Sequence, residues 1–367
     1  MQNSKSALRS GRARIQPPFD ERMREKTEAL RSQEKVRILS LETSCDETAA
    51  AIIENGRIIR ANIVFSQIDL HALYGGVVPE IASRAHVEAC DRVIDEALRE
   101  ADMSFDNIDA LAVTCGPGLV GALLTGVSCM KGLSYALDKP LIPVNHIEGH
   151  ISANFLTHPE LEPPFLCLVV SGGHSHLVNV PDYGVYELIG QTMDDAAGEA
   201  FDKAARVLSL PYPGGPKLDQ LAEEGNPEYL KLPHPHVEGY DYSFSGMKTA
   251  FLNSCHTMEM KGEELPKADL AASFRKAVVD SLVGKAKLAA KDTGAKKMAM
   301  AGGVSANRLL RREMQAACDS LGIPLYMPEI KLCTDNGAMI GSAAYYRLLR
   351  GETAALTLNA MPSLRLV

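Results

Sequence analysis

The sequence predicts a mixed α/β protein of two similar lobes with a ligand cleft between them, and three observations carry that prediction. The chain opens twice with strand, polar turn, strand: residues 36–41, 42–48 and 49–53, then 165–171, 172–175 and 176–180. Each opening leads into alternating helical and strand-like segments, the pattern of folds whose ligands sit in a crevice at strand ends. Glycine-rich turns stand at or near strand ends four times, at Gly116-Pro-Gly118, Ser171-Gly-Gly-His-Ser175, Gly214-Gly215 and Gly302-Gly303. No residue-level repeat relates the halves, so the similarity is one of layout.

The elements follow in order. Residues 36–41, Val-Arg-Ile-Leu-Ser-Leu, alternate apolar and polar as a half-buried strand does. Asn55-Gly56 is a hairpin signal between strands at 49–53 and 57–64. Residues 82–101 have helical apolar spacing, and 108–114 read as a buried strand. Gly116-Pro-Gly118 breaks the chain before a small-residue helix at 120–136. A strand at 141–144 leads into a helix from about Glu148. In the second half, a helix at 194–208, a Gly/Pro loop at 211–216 and further helices precede a strand at 296–301. A loop at 302–307, a helix to Ala317, a short strand at 324–327 and a closing helix at 334–349 complete the order. The expected boundaries are a basic, disordered or loosely helical extension at 1–35, a first lobe at 36–145, a second at 146–333 and a tail at 351–367. The closing helix, 334–350, is expected to pack back towards the first lobe.

Charge limits the function. The net charge is −8; residues 1–35 hold nine Lys/Arg and five Asp/Glu, a net of +4, so the remainder carries −12. An acidic body does not hold polyanions by bulk charge, which excludes a generic nucleic-acid coat but not a local basic groove. The longest apolar run, around 118–130, falls short of the roughly 18 residues of a membrane span. The first sixteen residues are basic and acid-free like a transit peptide, but Asp20, Glu21, Glu25, Glu28 and Glu34 break that pattern. Eight scattered cysteines without C-x-x-C read as reduced thiols. A soluble cytoplasmic protein is expected, with mitochondrial import as the alternative.

Several residues suit chemistry. His146-Ile-Glu-Gly-His150 places two imidazoles four apart on one helical face, a spacing suited to a shared metal. Glu148 lies about 200° round the helix from His146, away from such a metal, so this is not the zinc-protease arrangement. Asp335, at the start of the closing helix, is either a third ligand or a plain N-cap. Two histidines and a carboxylate with open positions suit iron(II) or zinc as a Lewis acid. Asp46 and Glu47 stand in the first polar turn, where an acid organises a cation or accepts a proton. Asp194, Asp195, Glu199 and Asp202 crowd one helix start; the first two favour the helix dipole, and Asp202 lies deep enough to reach a ribose hydroxyl. The four glycine turns together point to a nucleotide site. His174 and His176 share a strand face, as core histidines or a second metal pair.

Together these segments resemble the bacterial-type tRNA threonylcarbamoyladenosine transferase family, TsaD, once labelled the glycoprotease Gcp. The resemblance rests on Glu42-Thr-Ser-Cys-Asp-Glu-Thr48, Tyr74-Gly-Gly-Val-Val-Pro-Glu-Ile-Ala-Ser-Arg84, Gly116-Pro-Gly-Leu-Val-Gly-Ala-Leu123, His146-Ile-Glu-Gly-His150 and Val170-Ser-Gly-Gly-His174. It rests also on residues 194–203, Phe244-Ser-Gly-Met-Lys-Thr249, Gly302-Gly-Val-Ser-Ala-Asn307 and Cys333-Thr-Asp-Asn-Gly337, and spans about Val36 to Arg350. It implies the actin-like, sugar-kinase-like (ASKHA) fold. The implied reaction moves the threonylcarbamoyl group of threonylcarbamoyl-adenylate to N6 of the adenosine immediately 3′ of the anticodon, in tRNAs reading ANN codons, with release of AMP.

By the same resemblance, His146, His150 and Asp335 hold one divalent metal, Fe2+ or alternatively Zn2+. Ser171, Gly172, Gly173, His174, Ser175, Asp202, Gly215, Asp219 and Asn307 line the nucleotide side. Asp46 or Glu47 takes the amine proton or positions the substrate. The implied partners are tRNA and the proteins TsaB and TsaE; a homodimer is open and no membrane is expected. Three rivals remain: a small-molecule kinase of the same fold, a zinc endopeptidase, and a nucleotide-switched scaffold. The kinase has no need of the histidine pair.

Overall fold

The computed structural model describes residues 17–233 and 237–367, so the acid-free stretch 1–16 lies outside the described residues. Helix α1 (Phe19–Leu30) precedes β1 (Arg37–Glu42), β2 (Glu47–Glu54) and β3 (Ile58–Ser66). Then come α2 (Ile68–Ala72), α3 (Pro79–Glu100), β4 (Ala110–Gly116), α4 (Val120–Leu137) and β5 (Leu141–Asn145). The second half runs α5 (His146–Thr157), β6 (Phe165–Val170), β7 (Ser175–Asp182), β8 (Val185–Gln191), α6 (Ala197–Val207), α7 (Gly214–Leu221) and α8 (Ser245–Met260). It closes with α9 (Lys267–Thr293), β9 (Met298–Ala301), α10 (Arg308–Leu321), β10 (Leu325–Tyr326) and α11 (Gly337–Leu349).

Two five-stranded sheets result, ordered β3-β2-β1-β4-β5 and β8-β7-β6-β9-β10. In each, the first three strands are antiparallel and the next two add in parallel. The likeness between the halves thus extends to complete sheet topology. Asn55 and Gly56 adopt the positive φ values, 51° and 70°, that a tight hairpin turn requires. β8 was not expected, because its half-exposed side chains carry no clear alternation.

Between the sheets lie α11 and α5, back to back. On α11, Ala338, Ile340 and Ala344 bury with Ile38, Ile53 and Val144 of the first lobe. On α5, Ile147, Ile151 and Phe155 bury with Cys167, Val169 and Ala299 of the second. Each such large side chain contributes about 1.5–3 kcal/mol when fully buried. The close fit of α11 needs a missing side chain: a Cβ on Gly337 would lie 2.7 Å from the backbone of Ala50 and Ala51. The two central helices start at the same end of the molecule, and that end is the cleft.

Several segments differ from expectation. Residues 19–30, in the extension expected to be disordered or loosely helical, form a helix docked on the first lobe that buries Met23, with Arg22 and Lys26 on Asp138. The tail is docked: Ala354 N–H donates to the Leu141 carbonyl at 2.7 Å, and Met361 N–H to that of Cys115 at 2.7 Å. α7 begins inside the expected Gly/Pro loop, and α6 begins at Ala197 rather than 194. The first two acids are instead used outside that helix, Asp194 accepting from Phe244 N–H at 2.8 Å and Asp195 pairing with Lys248 and Lys203. α4 runs longer than its apolar core suggested and at 18 residues is long and apolar enough to cross a membrane by length and composition. Here its inner face, including Val127 and Met130, packs in the first-lobe core with Cys90, Ile94 and Val113.

Candidate active site

His146 is the first residue of α5, because the Asn145 side chain caps that helix by accepting from Ile147 N–H at 2.9 Å. One turn later His150 projects from the same face. Asp335 arrives just before α11, whose N-cap is Asn336 rather than Asp335. The Asp335 Oδ1 oxygen stands 3.4 Å from His146 Nε2 and 3.3 Å from His150 Nε2. Donors at about 2.0–2.1 Å from a tetrahedral ion lie about 3.4 Å apart, so this spacing is that of ligands round one centre. Both ring nitrogens of His150 are buried without a hydrogen bond. The residues therefore fit a metal. Among the described residues, these are the His, Cys, Asp and Glu side chains whose donors converge in this way. Glu148 points away, as expected, into an ion pair with Arg347 at 2.6 Å.

Behind His146 stands a group that sequence reasoning left without a role. Glu42, fully buried, places Oε2 3.2 Å from His146 Nδ1 and accepts from the Thr114 hydroxyl at 2.5 Å. The Ser44 hydroxyl is 3.1 Å from the same ring nitrogen. Burial disfavours a charged His146, but the Asp335 and Glu42 carboxylates outweigh it and hold the imidazole well above its ordinary pKa. In return, and against burial, His146 and His150 hold Asp335 below the usual carboxylate range.

The acidic turn between β1 and β2 lies beside this cluster. Asp46 Oδ2 accepts from the Tyr212 hydroxyl of the opposite lobe at 3.0 Å. Glu47 Oε1 accepts from the Ser66 hydroxyl at 3.2 Å. Burial, with Asp335 and Asp46 nearby, pushes the Glu47 carboxyl up to about 9. Such a concentration of buried carboxylates favours a cation among them.

The nucleotide-side residues form a chain of braced turns. Ser171 N–H donates to the His174 carbonyl at 2.8 Å, folding a turn whose Gly172 and Gly173 backbone is exposed. The Ser175 hydroxyl is fully buried and accepts from Ala197 N–H at 2.9 Å, so it anchors the start of α6. Asp202 Oδ1 accepts from Gly215 N–H at 2.9 Å, fixing the start of α7. Asp219 Oδ1 accepts from Arg275 at 2.8 Å and its Oδ2 from Arg308 N–H at 3.3 Å, while Asn307 caps α10 through Leu310 N–H at 2.9 Å. Gly302 takes φ +86°, and a Cβ there would lie 2.4 Å from the Val170 carbonyl oxygen. The starts of α6, α7 and α10 are thereby tied to one set of turns.

His174 connects this side to the metal cluster. Burial, then neighbouring His176, His146 and His150, push its imidazole down to about 3, so it is neutral. The His174 and His176 rings sit 5.2 Å apart, and no third donor joins them among the described residues. Glu42, Tyr212 and Arg275 were all missed in the sequence, since each acts through a partner more than 50 residues away.

Comparisons with known proteins agree on one family. The family model for TsaD, tRNA N6-adenosine threonylcarbamoyltransferase, matches residues 58–342. A curated tRNA N6-adenosine threonylcarbamoyltransferase of Clostridium perfringens (strain SM101 / Type A) is 58% identical over 331 residues, covering 90% of this chain and 98% of that protein. One from Clostridium kluyveri is 55% identical over 334 residues, with 90% and 98% covered. Among solved structures, HypF of T. kodakarensis superposes with a TM-score of 0.59 at 16% identity, over 86% of this chain and 48% of that one, a likeness of fold alone.

Proposed function

The chain belongs to the TsaD family of tRNA N6-adenosine threonylcarbamoyltransferases, and on that premise we propose how its cleft moves a threonylcarbamoyl group from threonylcarbamoyl-adenylate to tRNA. The acceptor is N6 of the adenosine immediately 3′ of the anticodon, and AMP is released. The fold, two matched sheets about a cleft, is the actin-like, sugar-kinase-like one. The observation that carries the reading is the convergence of His146, His150 and Asp335 beside the braced glycine turns.

His146, His150 and Asp335 would hold one divalent ion, Fe2+ by preference for two imidazoles and a carboxylate, with Zn2+ as the alternative. Such an ion supplies Lewis-acid polarisation of an acyl carbonyl. The protein does the rest. Glu42 fixes the ring of His146. The exposed N–H groups of the Gly172-Gly173 turn hold the adenylate phosphate, and Asp202, Asp219 and Asn307 keep the nucleotide side rigid. The N6 lone pair attacks the carbonyl carbon, the bond from that carbon to the phosphate oxygen breaks, and AMP leaves with the electron pair. Asp46 accepts the proton that N6 loses. Glu47, whose Oε1 accepts from the Ser66 hydroxyl at 3.2 Å, positions the substrate beside Asp46.

We assign TsaB and TsaE as partners. Supporting this, α3 and α4 present exposed Val87, Val120 and Leu124, apolar side chains suited to another protein. Membership of the family, with bacterial relatives at 58% identity, supports cytoplasmic placement; residues 1–16, which bear on the mitochondrial alternative, lie outside the described residues. The test is transfer of radiolabelled threonine to unmodified ANN-reading tRNA, given ATP, bicarbonate and a threonylcarbamoyl-adenylate synthase, with and without TsaB and TsaE. Label in tRNA supports the transferase. Its absence under every condition, from folded, metal-loaded protein, favours the kinase or scaffold.

A further inference from the structure

The rim of the cleft carries a feature that the transfer chemistry above does not use. β3 ends beside the acidic turn, and Gln67 N–H donates to the Asp46 carbonyl at 3.0 Å. α2 follows at once, and its last turn runs out into Leu73 and Tyr74, which are 80% and 59% exposed. This loop is well tied. Buried His71 accepts from Val78 N–H at 3.3 Å, and its other ring nitrogen is 3.1 Å from Gln67 Oε1. From the opposite lobe, Arg206 donates to the Gly75 carbonyl at 2.9 Å. Arg206 is exposed and stands one helical turn after Asp202 on α6. Exposed Tyr74 therefore adjoins Gly75, whose carbonyl the Arg206 guanidinium of the opposite lobe holds at the mouth.

Exposed aromatic rings and arginine planes are how proteins hold unstacked RNA bases, since every base offers a π-face. An adenosine whose N6 must reach the metal cluster has to leave its stack, which brings the flanking bases and phosphates to the mouth. The acidic body lacks bulk charge to hold tRNA, so local stacking has to carry more of the grip.

We propose that Tyr74 stacks on the base adjoining the target adenosine in the tRNA anticodon loop, with Arg206 on the adjacent phosphate. This rests on the transferase reading. The test measures transfer from preformed threonylcarbamoyl-adenylate by the full chain with TsaB and TsaE, as tRNA is titrated. Tyr74→Ala is expected to raise KM for tRNA about tenfold or more while kcat stays within about twofold, and Tyr74→Phe to restore it. Arg206→Ala raises KM and lowers the salt slope of tRNA binding by about one. Adenylate affinity, measured by calorimetry, and metal content stay at the wild-type values in Tyr74→Ala, which a misfolded rim would not allow.

Three results overturn the proposal while leaving the transferase intact: an unchanged KM in Tyr74→Ala, a Tyr74→Phe as impaired as Tyr74→Ala, or loss of TsaB or TsaE binding by Tyr74→Ala in gel filtration. The last would make the rim a protein-docking surface. Wild-type protein that transfers nothing overturns both.

Discussion

His146 is held between two carboxylates, Glu42 on one ring nitrogen and Asp335 on the other, and two predictions follow from that. The carboxylates raise its pKa, so the metal-free site carries a proton that a metal must displace. Metal affinity is therefore expected to rise with pH through and above the ordinary imidazole range, as that proton becomes easier to displace, read by competition with a chelator. A flat profile would show that His146 is already neutral. Glu42→Gln is expected to weaken metal binding about 10- to 100-fold by loosening the ring's orientation, without unfolding the chain. The His146/His150 pair was legible because two ligands four apart share a helix face. Glu42 was not, because its partner lies 104 residues away and only the packing of α5 against the first sheet brings them together.

At the level of elements, the site depends on how closely α11 approaches the first sheet. Gly337→Ala would drive a methyl against the backbone of Ala50 and Ala51, which cannot turn aside as a side chain might. Expected are a loss of about 1–3 kcal/mol in chemical unfolding and a weaker metal site, since Asp335 is two residues upstream. Gly284→Ala, in the interior of α9 with nothing within 4 Å of its would-be Cβ, is the control and should stabilise by about 0.5–1 kcal/mol. Strands with strong alternation or full burial, such as β1, β4 and β6, were readable from the sequence. β8 was not, being a half-exposed edge, and α7 was hidden in a run of Gly and Pro that serves as its first turn.

Across the whole molecule, the tail and the cleft are linked. The Arg365 carbonyl accepts from Asn145 Nδ2 at 3.0 Å, and Asn145 is the cap that starts the helix bearing both histidines. Truncation after Glu352 removes that bond together with half-buried Leu358, Leu364 and Leu366, worth about 1 kcal/mol apiece. A lower melting temperature and a weaker metal site are both expected; unchanged metal affinity would show that Asn145 holds its position alone. The tail was unreadable as structure because its backbone bonds and its scattered leucines follow no helical or strand period in the sequence. The repeated sheet order was foreshadowed by the two strand–turn–strand openings, and the cleft by the glycine turns.

The central claim is that one cluster, His146, His150 and Asp335, serves threonylcarbamoyl transfer to tRNA. The most direct measurement compares wild type with His146→Ala/His150→Ala for metal content and for labelled threonine entering ANN-reading tRNA, each with TsaB and TsaE present. The account predicts about one divalent ion per wild-type chain, none in the variant, and label in tRNA from the wild type alone. Equal labelling by a folded, metal-free variant would contradict it.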